Sequence, residues 1–141
     1  MNYYSWWQAS IASAQASATE DTLEKAKLFL DYAATNPDAI ITYRASEMVL
    51  SVHSDASYLT ESKARSRAGG HFVMSKNIQV PPNNGAVLNI AKIIPSVVTS
   101  AAEAEVVGAF MNAREAVPIR VTLWEMDGNH QHQCNLITLQ H

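Results

Sequence analysis

The stretch Met48-Val49-Leu50-Ser51-Val52 narrows the fold most. So nearly continuous an apolar run needs cover on both faces, as a central strand has. It leads into Ser54, Asp55 and Ser57, polar residues at the end of the strand, where a ligand can reach a cleft. Two more strand-like runs follow. Gly69-Gly70 opens His71-Phe72-Val73-Met74-Ser75, and paired glycines suit a bulge or a close backbone approach. Pro81-Pro82-Asn83-Asn84-Gly85 marks a turn, since Asn-Gly favours positive φ, and Ala86 to Ala91 is the third run. Strands over 47–57, 69–76 and 85–93 in succession predict an antiparallel meander.

Helical spacing flanks the meander. Over 19–35, Leu23, Ala26, Leu30, Ala33 and Ala34 form one apolar face. Ser17 and Glu20 have capping-box spacing at its start, and Asn36-Pro37-Asp38 stops it. Ala39 to Tyr43 is short and β-branched, a further strand by pattern. After the sheet, Ser100 and Glu103 have capping-box spacing, and Ala102, Val106, Ala109, Phe110 and Ala113 predict a buried stripe. Pro118 suits the first turn of a second helix through Ile119, Leu123 and Met126, closed by Asp127-Gly128. The first seven residues hold four aromatics, which dock on a neighbouring surface or stay unordered.

Composition excludes several classes. A chain of 141 residues with 48% hydrophobic and 16% charged residues fits one globular domain. Its net charge of −3 excludes a grossly basic nucleic-acid coat but leaves room for a local basic patch. One cysteine, Cys134, rules out an internal disulfide framework and suits a reducing compartment. No apolar run nears the roughly 20 residues of a bilayer span, and the N-terminus lacks the pattern of a secretory signal. The expectation is an intracellular protein, cytoplasmic or nuclear, with no membrane partner.

Asp55 and Glu105 carry the chemical interest. Asp55 reads either as a turn or cap residue or as a ligand at a strand end. Glu105 borders the apolar stripe near a helix start, where a carboxylate can turn into the end of the sheet; otherwise it is a solvated helix residue. Glu103 has a structural task in the cap. Lys63, Arg65 and Arg67 lie within five positions, as a phosphate-contacting loop or a solvated hairpin loop. His130, His132, Cys134 and His141 lack the paired spacing of a zinc finger.

Taken in order, these segments resemble the RNase H-like domain of copia-type retrotransposon polyproteins. Leu30-Asp31-Tyr32-Ala33-Ala34-Thr35-Asn36-Pro37-Asp38-Ala39 looks like the segment joining that family's reverse transcriptase to its RNase H domain. His53-Ser54-Asp55-Ala56-Ser57-Tyr58 resembles its first-strand aspartate motif, and Ala64 to Gly70 its first hairpin. Ser100-Ala101-Ala102-Glu103-Ala104-Glu105 resembles its helix-A glutamate motif, and Asn112 to Arg120 fits the retroelement version. The resemblance implies a connecting segment over 1–45, a partial RNase H-like domain over 46–128 and an atypical tail over 129–141. The implied fold is α/β, a three-stranded antiparallel meander followed by helices on a mixed sheet, incomplete at the C-terminus. The implied activity is Mg²⁺-dependent cleavage of RNA in an RNA–DNA hybrid, through two ions about 4 Å apart. Asp55 and Glu105 match two metal ligands, with Glu103 the competitor for the second. Lys63, Arg65 and Arg67 become contacts to the hybrid, and an upstream reverse transcriptase domain a possible partner.

The chain also departs from that pattern. The family's next strand ends in a third aspartate, within Thr-Asp-Asn-Ser-Thr-Ala, and a later helix brings a fourth acid. Here Gln133 to His141 contains no acid. Two of four ligands leave Mg²⁺ poorly held, and missing helices leave an exposed edge and exposed helix faces, which predict marginal stability or oligomerisation. Codons for Gln133 to His141, read from the third base, can spell Met-Gln-Pro-Asp-Asn-Ser-Thr-Ala. The tail after about Gly128 is therefore expected to be a frameshift product. The nucleotide sequence checks this: a shifted frame without the Asp-Asn-Ser-Thr string rejects it.

Overall fold

The computed structural model describes residues 11–12, 14–61, 63–78, 84–126 and 134–138, the last for the backbone alone. Backbone contacts divide the chain between Ile41 and Thr42. In the first unit, a 3-10 turn, Gln15–Ser17, precedes helix α1, Glu20–Thr35. Its cap is Thr19, not Ser17: Thr19 and Thr22 exchange hydroxyl and backbone bonds in a reciprocal box. Asp21 and Lys25 pair at 2.7 Å one turn apart. No residue of α1 is buried. Ala26, Phe29 and Ala33 form its half-buried line, whereas Leu23 and Leu30 of the expected face stay exposed.

The second unit contains the sheet. Strands β1 (Val49–Glu61), β2 (Arg65–Ser75), β3 (Ala86–Ile93) and β4 (Cys134–Thr138) lie in the order β3-β2-β1-β4. β1 and β2 pair antiparallel from Val49↔Ser75 to Ser57↔Arg67, and β2 pairs antiparallel with β3. β4 joins the other edge of β1 in parallel, from Leu50↔Cys134 to Ser54↔Thr138. The architecture is thus α/β, with a three-stranded antiparallel meander in a mixed sheet. Leu50 and Val52 are fully buried in it, as the apolar run requires. Ala39 to Tyr43 forms no strand. Side-chain bonds tie the chain here instead: Tyr43 Oη donates to Ala86 O, and Arg44 N–H to Asn84 Oδ1.

The hairpin between β1 and β2 is longer than its polar sequence suggests. Most of the expected loop over 58–67 is strand. An irregularity between Ser57 and Glu61 brings Leu59 to a φ of 55°, and the Leu59 N–H turns to Ser66 Oγ. At the tip, Lys63 and Ala64 have φ values of 62° and 51°.

Helix α2, Ala101–Met126, runs through Pro118 as one element, where two helices were expected. Its buried line is Ala104, Gly108, Asn112, Ala116 and Leu123. That corrects the expected stripe, since Ala102, Val106, Phe110 and Ala113 are exposed and Ala109 only half-buried. The reason is the closeness of helix and sheet. A Cβ on Gly108 would meet the Cβ of Ala56 at 3.3 Å and that of Ala68 at 3.6 Å, so only small residues fit. The contact splits into two apolar clusters. One joins Leu50, Val52, Phe72, Met74, Ile90, Ala116 and Leu123; the other joins Ala68, Ile94, Val98 and Ala104.

Asn112 lies fully buried on the same line and ties helix to sheet. Its Nδ2 donates to Ser54 Oγ on β1 at 2.8 Å and to Gly69 O on β2 at 2.7 Å. Gly70 makes the room: a Cβ there would overlap Asn112 Oδ1 and lie 2.9 Å from the Phe72 ring. Truncation by Asn112→Ala should cost ~1–3 kcal/mol for each buried acceptor it orphans. Gly70→Ala should destabilise through overlap, by about 1–3 kcal/mol. Urea unfolding of both variants checks this, and unchanged midpoints would remove the clamp from the account.

Candidate functional site

The end of β1 brings Glu105 to Asp55. The last described pair between β1 and β4 is Ser54↔Thr138. Two residues on, the Ala56 N–H donates to Glu105 Oε1 at 3.3 Å. Glu105 comes from the second turn of α2 and can reach because Gly108, one turn further, lets the helix lie against Ala56. Its other oxygen, Oε2, is buried with no hydrogen-bond partner among the described residues. A buried oxygen of this kind is costly unless something answers it. Strand alternation directs Ser54 and Ala56 toward α2 and sets half-buried Asp55 on the opposite face. Glu105 therefore meets the peptide that follows Asp55 from the helix side, while the Asp55 side chain lies on the other face of the strand.

Glu103 points elsewhere. Its Oε2 accepts from Thr99 N–H at 2.6 Å and Thr99 Oγ1 at 2.8 Å, while Ser100 Oγ accepts from the Glu103 N–H. The bonds from Thr99 hold the exposed carboxyl below the usual carboxylate range. The cap expected at Ser100 and Glu103 thus engages Glu103 fully, and the carboxylate beside Asp55 is that of Glu105.

The three basic residues separate. Lys63 and Arg65 lie at the surface by the hairpin tip. Arg67 does not: it is 4% exposed, pairs with Glu61 at 2.7 Å and donates to Ala91 O. Alternation along β2 sets it on the face of Asp55, where its bonds to Glu61 and Ala91 O tie β1 to β3 and withdraw it from any phosphate. Breaking such a buried pair costs several kcal/mol, about 3–5.

A histidine pair emerges only with the strand register. His53 lies directly across from His71, with ring centroids 6.1 Å apart, on the same face as Asp55. His71 Nδ1 lies 2.7 Å from Asn89 Oδ1, a bond in which Nδ1 carries the proton. His53 Nε2 is buried and has no hydrogen-bond partner among the described residues. Burial, then the proximity of His71, lowers the His53 pKa from 6.5 and keeps the ring neutral at pH 7. The sequence offered His53 only as the neighbour of Asp55; pairing it with His71 needs the register.

Asp55 and Glu105 supply oxygen donors, the type a hard cation such as Mg²⁺ takes. Glu105 Oε2 is a donor of that type, but alternation sets the Asp55 side chain on the other face of the strand, and two carboxylates are too few for a pair of ions. Among the described residues, no three His, Cys, Asp or Glu side chains are grouped to hold a metal. His130, His132 and His141 lie outside the described residues. None of the described helices is long and apolar enough to cross a membrane. No family model, curated protein or solved structure matches the chain.

The histidine pair gives a pH dependence. Since His53 has a lowered pKa in the fold, the unfolded chain takes up its proton first as pH falls. Its contribution to stability is therefore full above 6.5 and declines below that value. Melting temperature should drop between pH 7.5 and 5.5, and His53→Gln should reduce the drop. An equal drop in both proteins would remove His53 from this role.

Proposed function

We propose that this chain carries part of a copia-type RNase H-like domain, whose family activity is Mg²⁺-dependent cleavage of RNA in RNA–DNA hybrids. The observation that carries the reading is Glu105: it reaches the peptide next to Asp55 and holds one buried oxygen without a partner among the described residues. The order β3-β2-β1-β4, with β4 parallel to β1, supports it further. So does the helix placed between β3 and β4.

In that reading Asp55 and Glu105 are the first two metal ligands, and bound Mg²⁺ supplies the Lewis acidity for phosphodiester hydrolysis. The chain's own residues position one carboxylate against the backbone and leave Lys63 and Arg65 at the surface to meet a phosphate backbone. β4, Cys-Asn-Leu-Ile-Thr, brings no acid to the position beside β1. The chain by itself is therefore a weak, salt-sensitive hybrid binder with cleavage absent or severely reduced. A non-catalytic binding or assembly module is the second reading, favoured by the same two surface cations.

Two measurements test these readings. Incubation of the chain with a labelled RNA–DNA hybrid and Mg²⁺ should yield little or no product. Robust cleavage abolished by Asp55→Asn would overturn the inactivity while supporting the kinship. Fluorescence anisotropy should show binding that weakens with salt, and Lys63→Ala or Arg65→Ala should each reduce the log–log salt slope by about 1. Absence of both cleavage and binding would reject the proposal.

A further inference from the structure

On the face of the sheet away from α2, His53 on β1 and His71 on β2 stand directly across from each other. Their ring centroids lie 6.1 Å apart, with the planes tilted by 47°. Each ring keeps a nitrogen that no described residue answers. Asn89 Oδ1 holds the proton on His71 Nδ1, so the His71 lone pair sits on Nε2. His53 Nε2 is buried, and neither tautomer relieves it. A protonated Nε2 is a buried donor with no acceptor, and a bare one is a buried lone pair with no donor.

A cation that takes both lone pairs answers both rings at once. Two imidazoles on one tetrahedral ion, with metal–nitrogen bonds of about 2.1 Å, have centroids roughly 5 Å apart. Small side-chain rotations close the difference from 6.1 Å. The bond from His71 Nδ1 to Asn89 is the outer contact that metal-bound histidines carry, since it fixes the tautomer and the orientation of the ring. The neighbouring charges agree. Asp55 follows His53 by two residues on the same face, and Gly69, opposite Asp55, adds no side chain to block an approach. Arg67, the cation next along that face, is paired with Glu61.

We propose that His53 and His71 form a site for a divalent transition cation of the zinc class, with water in the remaining positions and Asn89 as the positioning residue. Imidazole suits Zn²⁺, Cu²⁺ and Ni²⁺, whereas Mg²⁺ takes oxygen donors. The site therefore shares neither ligand nor metal with the Asp55–Glu105 reading and does not depend on it. With only two protein donors it is open and binds at micromolar rather than nanomolar concentration.

The first measurement uses the native full chain. Long-range ¹H–¹⁵N spectra should show Zn²⁺ shifting the Nε2 signals of His53 and His71 together, while the proton on His71 Nδ1 persists. Millimolar Mg²⁺ should move neither. The second measurement removes the donors of the tail by combining His130→Asn, His132→Asn, Cys134→Ser and His141→Asn. Calorimetry in that background should find a single Zn²⁺ per chain. His71→Gln should weaken it at least tenfold and Asn89→Ala about tenfold, both with the circular dichroism spectrum unchanged. Zn²⁺ that moves only other histidines, no binding in the tail-free background, or binding that survives His71→Gln in folded protein would each overturn the proposal. Undiminished affinity in folded Asn89→Ala would strike the positioning role. If the background or a variant unfolds, the spectra of the native chain decide alone.

Discussion

The side chain of Asn112 is the contact on which the helix–sheet arrangement turns. Apolar contact alone would let α2 slide along the sheet, since Ala104, Gly108 and Ala116 present almost the same small surface at each turn. Two directed bonds from one amide, to β1 and to β2, remove that freedom. A buried polar group tolerates displacement poorly, because a shift of one turn leaves the amide and both acceptors unpaired. Fixing Asn112 also fixes Glu105, two turns earlier on the same helix. The candidate site depends on a register set inside the core.

Much of this arrangement was legible in the chain. Val49 to Val52 of the apolar run do become the buried start of an interior strand, although Met48 stays exposed before it, and the three expected strands do pair antiparallel. The cap at Ser100 and Glu103 formed, which left Glu105 as the acid turned toward β1. Other features were hidden for physical reasons. The buried side of α2 uses glycine, alanine and asparagine, and hydrophobicity weights those below the valines and phenylalanine on its outer side. Pro118 was read as a start, yet the packed helix carries it in its interior. Arg67 was read as a loop cation because the loop was drawn too long; once β2 extends to Arg65, Arg67 lies inside the strand and is held by Glu61 and Ala91 O.

Glu105 and Asp55 illustrate how a strand end differs from a strand middle. Within the ladder, each β1 backbone group answers a neighbour. Past the last described pair with β4, at Ser54, a helix carboxylate takes the Ala56 N–H in place of a carbonyl. A carbonyl brings no net charge to such a bond, whereas a carboxylate brings a full charge and a spare oxygen. The histidine pair on the other face is likewise a product of register, with Asn89 fixing the proton on His71.

The parallel placement of β4 has a consequence in time. Its partner residues on β1 lie more than eighty positions away, Leu50 against Cys134. Every other pairing in the sheet joins strands next to each other in the chain, and such local pairs close early. As the chain emerges from synthesis, the meander and α2 can assemble while β1 still has one bare edge. That edge is a template for any extended segment until residues 134–138 arrive. Whatever sequence fills those five positions inherits the task of closing the sheet.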